Sequence, residues 1–176
     1  LSFGGLETLI SYGVPLRGLP RTEEAVSTLR AALLEAVPRH HVKFFRTCAL
    51  HHSVGDYLFV HAGVRPGISL ERQTPTDLMW IRDDFLRARN PLPGRVVVHG
   101  HTICDLPQNR DHRINLDTGA FVSGRLTCLA LRGSERRFNC FNHRVERDVL
   151  LVTHLPYGCN HFVWILHNFS YFLRKK

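Results

Sequence analysis

Several features that would place this chain in a common class of protein are absent from it. No stretch of its 176 residues reaches the roughly 20 mainly apolar residues of a transmembrane helix. The net charge of +8 is not gathered into one basic run, and no nucleic-acid-binding motif is present, so we expect no nucleic-acid partner. No internal repeat or low-complexity segment occurs. These absences leave an ordinary globular chain that is long enough to bury a core.

Cysteine use argues against a disulfide framework. The five cysteines, an odd number, form no Cys-x-x-Cys pair. Free thiols are typical of a reducing compartment, so we expect a cytoplasmic location.

Apolar periodicity predicts one long helix near the start, over Glu23–Val37. Thr22 is a plausible N-cap, and Pro38 follows the helix. Its predicted buried face repeats at helical spacing and consists of Val26, Leu29, Leu33 and Val37. Three shorter helical segments are predicted at Leu1–Tyr12, His41–Thr47 and Asp77–Leu86.

Strand signals dominate the middle of the chain. Short apolar runs bounded by glycine, proline and aspartate predict four strands, at Tyr57–His61, Arg95–His99, Ile114–Asp117 and Arg125–Leu131.

Two histidines, His61 and His101, lie where a hydrophobic strand meets a glycine-containing turn. Open α/β sheets place their chemistry in loops beyond the carboxyl ends of strands. A neutral imidazole there is well placed to bind a metal, although a single histidine is more often a surface or capping residue. His99, two residues before His101, is interpreted as a residue that supports the site or the core.

Five blocks of the chain, taken in this order, resemble one family. The blocks are FGGLETL at 3–9, FVHAGVRPG at 59–67, LMWIRDDF at 78–85, VHGHT at 98–102 and INLDTGAFVSGRLT at 114–127. Together they are similar to the bacterial serine/threonine protein phosphatases of the calcineurin-like metallophosphoesterase superfamily.

Three other blocks of that family are absent. The chain contains no Gly-Asp-x-His-Gly, Gly-Asp-x-x-Asp-Arg-Gly or Gly-Asn-His-Glu. We therefore expect this chain to be the C-terminal part of such a phosphatase, with a partial phosphoesterase domain over residues 1–137. Residues 138–176 form a basic, aromatic tail of unknown role that does not resemble the family. An anchor at a membrane surface is the less favoured interpretation of this tail.

The resemblance implies an α/β fold, the C-terminal part of a β-sandwich flanked by helices. It also implies two divalent metal ions, manganese first and iron or zinc as alternatives. His61 and His101 match the last two of six protein ligands, and Arg82 matches an arginine that grips the phosphate. The alternative for Arg82 is a surface residue paired with Asp83 or Asp84. The family's general acid lies in an absent block, so no catalytic residue is assigned.

The implied activity is hydrolysis of phosphoserine or phosphothreonine in a phosphoprotein or phosphopeptide. With four metal ligands absent, we expect the chain alone to be inactive or nearly so. Two alternatives stay open: hydrolysis of diadenosine tetraphosphate by the same kind of metal centre, and a non-catalytic interaction fragment that uses the tail. The sequence does not predict the oligomeric state.

Overall fold

The computed structural model describes residues 4–16, 18–142 and 162–165. These residues belong to two compact units that divide between Ala49 and Leu50. The architecture is mixed α/β, with helices in the first unit and two sheets with short helices in the second. Among the described residues, no helix has both the length and the apolar character needed to span a membrane.

The first unit contains three helices: α1 (Gly5–Ser11), α2 (Glu23–Ala36) and α3 (Arg39–Thr47). The predicted N-cap of α2 is confirmed, because Thr22 Oγ1 accepts a hydrogen bond from the Ala25 amide at 3.2 Å. The helix ends at Ala36, just before the predicted stop at Pro38. Tyr12 and His41 join α1's end to α3 through a 2.9 Å hydrogen bond between the phenol oxygen and Nδ1.

The prediction of a buried face on α2 was wrong for the described part of the chain. No residue of the helix is buried, Leu29 and Leu33 are only half-buried, and Val26 is 44% exposed. Helical periodicity identifies the apolar face of a helix, but burial also requires a surface to cover that face. The described residues do not supply enough of such a surface.

The larger sheet of the second unit has five strands in the order β1-β2-β3-β5-β4. Their ranges are β1 (His51–Val54), β2 (Tyr57–Val60), β3 (Val96–His99), β4 (Gln108–Asn109) and β5 (Arg113–Asn115). The three central strands are parallel, and the two edge strands pair antiparallel to them. The three predicted strands in this part are confirmed, each with bounds shifted by one or two residues, and they form the parallel centre.

The smaller sheet contains β6 (Arg125–Arg132), β7 (Glu135–Asn142) and β8 (Phe162–Ile165), in the antiparallel order β7-β6-β8. Strand β7 runs across the predicted boundary at 137/138 and pairs with β6 along its whole length. Of the predicted tail, only residues 138–142 and 162–165 are described. Its predicted role and its contact with a membrane therefore lie outside the described residues.

The predicted helix at Asp77–Leu86 is in fact two helices, α4 (Pro75–Trp80) and α5 (Asp83–Arg87). The helix breaks because Ile81 adopts ψ 143° and Arg82 adopts φ −131°, ψ −100°, both outside the helical region. A short 3₁₀ helix (Leu70–Arg72) precedes α4, and α6 (Ala120–Ser123) follows β5. The break leaves Arg82 between two helices instead of inside one.

Two buried clusters lie on opposite faces of the central strands. Leu58, Val60 and Val97 face the cluster that contains Phe85 of α5. Phe59, Val98 and Ile114 face the cluster that contains Leu129 and Leu131 of β6. Because both faces of β2 and β3 are covered, these strands are continuous apolar runs, as parallel strands usually are.

The loop after β2 depends on a glycine at position 63. Gly63 has φ 154°, and a Cβ built there would lie 2.6 Å from Cγ of the fully buried Phe85. The Arg65 guanidinium fixes the same loop by an ion pair of 2.6 Å with Asp77, and Gln73 Oε1 accepts from the Arg65 amide at 2.7 Å.

We expect Gly63→Ala to destabilise the second unit by about 3 kcal/mol or more, because it adds overlap with a core ring to an unfavourable backbone conformation. Gly55→Ala is the matched control, since Gly55 has φ 54° but nothing within 4 Å of a built Cβ; it should cost about 1 kcal/mol. Urea denaturation followed by tryptophan fluorescence measures both. Equal losses for the two variants would contradict the packing role of Gly63.

Candidate metal and phosphate site

The parallel pairing of β2 and β3 brings the two candidate ligands together. The register pairs Tyr57 with Val96 and Phe59 with Val98, and the Gly100 amide continues the ladder by donating to the His61 carbonyl at 2.9 Å. The chain then leaves both strands at the same edge of the sheet. There His61 Nε2 lies 3.0 Å from His101 Nδ1.

The turn at His101 has an unusual backbone conformation. His101 has φ 64°, and it is the one non-glycine residue with positive φ in the part of the chain that the structure describes. The Thr102 amide donates to the Gly100 carbonyl at 2.7 Å across this residue. Asn115 Nδ2 donates to the Thr102 carbonyl at 2.8 Å, which ties the turn to β5.

Arg82 reaches the same turn from between α4 and α5. Its Nη1 donates to the His101 carbonyl at 3.1 Å and to Thr102 Oγ1 at 3.2 Å. The alternative in which Arg82 pairs with a neighbouring aspartate is not seen. Asp83 pairs with Arg87 at 2.9 Å, and Asp84 lies 3.5 Å from Arg65.

The electrostatics of the site keep both imidazoles neutral. The pKa of His101 is lowered to about 4, first by burial and then by the nearby charges of Arg82 and His61. The Asp117 carboxylate and the Trp80 backbone oppose this shift. The pKa of His61 is also lowered, mainly by partial burial. The charge of Arg82 adds to this shift, and the Asp117 carboxylate opposes it. At neutral pH each ring therefore keeps a nitrogen lone pair, which is the form that binds metals.

The two nitrogens of the His101 ring have different surroundings. His101 Nε2 is buried and makes no hydrogen bond of ordinary geometry within the described residues, but the Trp80 backbone acts on the ring as a hydrogen-bond acceptor and raises its pKa. His101 Nδ1 instead faces His61 Nε2 at 3.0 Å. Two neutral imidazole nitrogens this close fit a shared cation such as zinc or iron.

The described residues supply only part of a metal site. Within them, no group of three or more histidine, cysteine, aspartate or glutamate side chains is arranged to hold an ion. Structural and catalytic metal sites generally take at least three protein ligands. The two imidazoles could therefore supply only part of the coordination sphere of a metal ion.

His99 lies in the core behind the site. It is fully buried, its ring meets Phe85 edge-on with 4.8 Å between centroids, and Nδ1 donates to the Gly100 carbonyl at 3.1 Å. Burial lowers the pKa of His99 to about 4, with Arg113 and His101 contributing. The sequence-based interpretation of His99 as a supporting residue agrees with this position.

Asp117 and Arg65 stabilise loops around the site. Asp117 Oδ1 accepts from the Gly119 amide at 3.0 Å, and the Asp117 amide donates to Asn115 Oδ1 at 3.0 Å, so Asp117 stabilises the turn after β5. Arg65 is held by Asp77 through Nε at 2.9 Å and Nη2 at 2.6 Å. A contact of Arg65 with an anion would require this pair to open.

Two open, shallow cavities lie at opposite ends of the parallel strands. The one beside Arg82 has a volume of about 280 Å³ and is also lined by Trp80, Asp83 and Asp84. The larger of these two, of about 580 Å³, lies at the amino ends of the strands and is lined by Asp56, Arg95 and His112. Neither is lined by His61 or His101, and the smaller one shares Arg82 with the turn that carries His101.

Sequence reasoning missed the partners that hold the turn. Thr102 and Asn115 were part of the quoted blocks, but nothing in their spacing showed that one accepts from Arg82 and the other donates to the turn. The chain matches no protein-family model and no curated protein. The chemistry of the site therefore has to be argued from its geometry.

The depressed pKa of His99 predicts a stability that falls in acid. Between its folded value of about 4 and the ordinary 6.5, the unfolded chain binds more protons than the folded chain, so stability rises with pH over this window. The contribution of His99 is present above about pH 6.5, is lost as pH falls toward 4, and amounts to about 3 kcal/mol.

We expect His99→Gln to flatten the dependence of unfolding free energy on pH between 4 and 6.5, because glutamine does not titrate. Urea titrations at several pH values measure the slope. His52→Gln is the control, since His52 is exposed on the edge strand β1. An unchanged slope in His99→Gln would show that His99 is not held neutral by the fold.

Proposed function

We propose that this chain carries part of the active site of a metal-dependent phosphoester hydrolase, a phosphoserine/phosphothreonine protein phosphatase of the calcineurin-like type. The observation that supports this most strongly is the 3.0 Å approach of His61 Nε2 to His101 Nδ1, with Arg82 on the same turn. Neutral imidazoles beside a guanidinium combine groups for a cation and for a phosphate.

Each residue has a distinct role in this proposal. His61 and His101 hold one of two divalent ions, with manganese as the first candidate and iron or zinc as alternatives. When bound, the ions supply an activated water and neutralise charge on the phosphoryl oxygens. Arg82 orients the phosphoryl group with planar donors, which a lysine does not reproduce. The general acid remains unassigned.

The proposed fold is the C-terminal part of a β-sandwich flanked by helices. The buried cluster shared by Phe59, Val98 and Ile114 with Leu129 and Leu131 supports it, because it joins the larger sheet to β6. Arg136 of β7 adds contacts with Tyr57 at 3.1 Å and Asn109 at 2.7 Å. A cytoplasmic location fits the odd number of cysteines.

The chain alone should turn over substrate slowly or not at all. It contains none of the three sequence blocks that carry the other four ligands in the family it resembles. Two imidazoles rarely hold an ion tightly when the remaining ligands are absent. Rapid hydrolysis of a phosphopeptide by this chain, abolished by a chelator, would contradict this part of the proposal.

We expect weak but measurable binding of Co²⁺ or Zn²⁺ to the purified chain, lost in His61→Ala and in His101→Ala. Each substitution removes one of two neutral nitrogen donors, so the affinity should fall at least tenfold. Titration calorimetry and the visible spectrum of Co²⁺ report the binding. His52→Ala should bind as the wild type does. Equal binding by all four proteins would rule out the proposed ligands.

The substrate class is tested by competition for the Arg82 site. A phosphoserine peptide should bind in preference to its unphosphorylated form, and Arg82→Lys should reduce that preference about tenfold because the planar donor fork is lost. Arg87→Lys, on the exposed face of α5, is the matched control. Tighter binding of diadenosine tetraphosphate than of the phosphopeptide would favour the dinucleotide hydrolase instead.

A further inference from the structure

We propose that Arg82 is a positioning residue for His101 even when no phosphate is bound. It acts by holding the left-handed turn from which the imidazole projects. The inference rests on the proposed role of His101 as a metal ligand. It goes beyond that role because it gives Arg82 a function in the site before any substrate arrives.

The turn requires an external constraint. A non-glycine residue at φ 64° occupies a strained region, and such residues persist when their surroundings fix them. The His101 carbonyl and the Thr102 hydroxyl both accept from one atom, Nη1 of Arg82. Asn115 holds the Thr102 carbonyl from the other side. Arg82 therefore supplies two of the side-chain bonds that fix this turn.

Arg82 is itself fixed by the core. Its carbonyl accepts from the Phe85 amide at 3.0 Å and from the Leu86 amide at 2.9 Å, which starts α5. Phe85 is fully buried, with its ring against His99 and under Gly63. The backbone of Arg82 is thus tied to the rigid interior, as a positioning residue requires.

The two roles of Arg82 use different atoms. Nη1 contacts the turn, while Nε and Nη2 meet no acceptor within the described residues. Nε and Nη2 form one planar edge of the guanidinium, the edge that matches two oxygens of a phosphate. Arg82 also lines the 280 Å³ cavity. It can therefore hold the turn and a phosphoryl group together.

The test compares Arg82→Ala and Thr102→Val with the control Arg87→Ala in phosphate-free buffer. Nitrogen-15 NMR of the histidine rings reads the hydrogen bond between His61 Nε2 and His101 Nδ1 without any metal. We expect this bond's signals to shift or broaden in Arg82→Ala and in Thr102→Val, and to stay unchanged in Arg87→Ala. Co²⁺ affinity should fall about tenfold in Arg82→Ala, with less loss in Thr102→Val.

The outcomes separate this inference from the proposed function. Ring signals and Co²⁺ affinity that match the wild type in both test variants would overturn the positioning role. Absence of Co²⁺ binding by the wild type would overturn the metal site, and the ring signals would still decide whether Arg82 holds the turn. If Arg82→Ala fails to fold, Thr102→Val decides, because it removes an acceptor and leaves the guanidinium in place.

Discussion

The parallel pairing of β2 with β3 is the constraint on which the candidate site depends. Both strands run in the same direction, so the residues that follow them emerge at one edge of the sheet. The pairing continues into the hydrogen bond from the Gly100 amide to the His61 carbonyl. This bond fixes the position of the loop after β3 relative to the loop after β2. An antiparallel arrangement would put His61 and His101 at opposite ends of the sheet. The core on both faces of these strands, and not any contact between the histidines, therefore determines their approach.

Burial and the charges around the histidines explain why both rings stay unprotonated at neutral pH. Burial and the positive guanidinium of Arg82 both lower the pKa of His101, so the ring stays unprotonated at neutral pH. In the proposed function, the same guanidinium attracts phosphate oxygens. A bound divalent cation would add positive charge beside Arg82, and an anionic substrate would then offset both. In the proposed function, a phosphate ester would therefore offset the positive charge of both the ion and Arg82.

The sequence predicts the centre of the fold well and its edges poorly. Val96–His99 and Tyr57–Val60 were identified because strands buried on both faces read as apolar runs between glycine-rich turns. Strands β1, β4 and β7 were not, because their composition is polar and edge strands need only one partner. The buried face assigned to α2 was wrong for the reason given above: periodicity describes the helix and not its surroundings. Strand order and register cannot be read from periodicity at all.

The candidate site shows the same division. Histidines next to glycine turns at strand ends were recognisable as residues with special geometry, and the structure brings His61 and His101 together. Arg82 could be singled out only by resemblance, because its position depends on a helix break at Ile81 that no proline or glycine marks.

That break has a chemical consequence for residue 82. A residue inside a continuous helix would point its side chain along the helix surface, toward residues three or four positions away. Placed between two helices, Arg82 instead reaches the His101 turn with Nη1, while Nε and Nη2 make no hydrogen bond within the described residues. Lysine carries its donors on one nitrogen, so it could not contact the turn through one nitrogen and keep a planar pair of others unbonded. The geometry of the turn therefore favours arginine at this position independently of the phosphate role proposed for it.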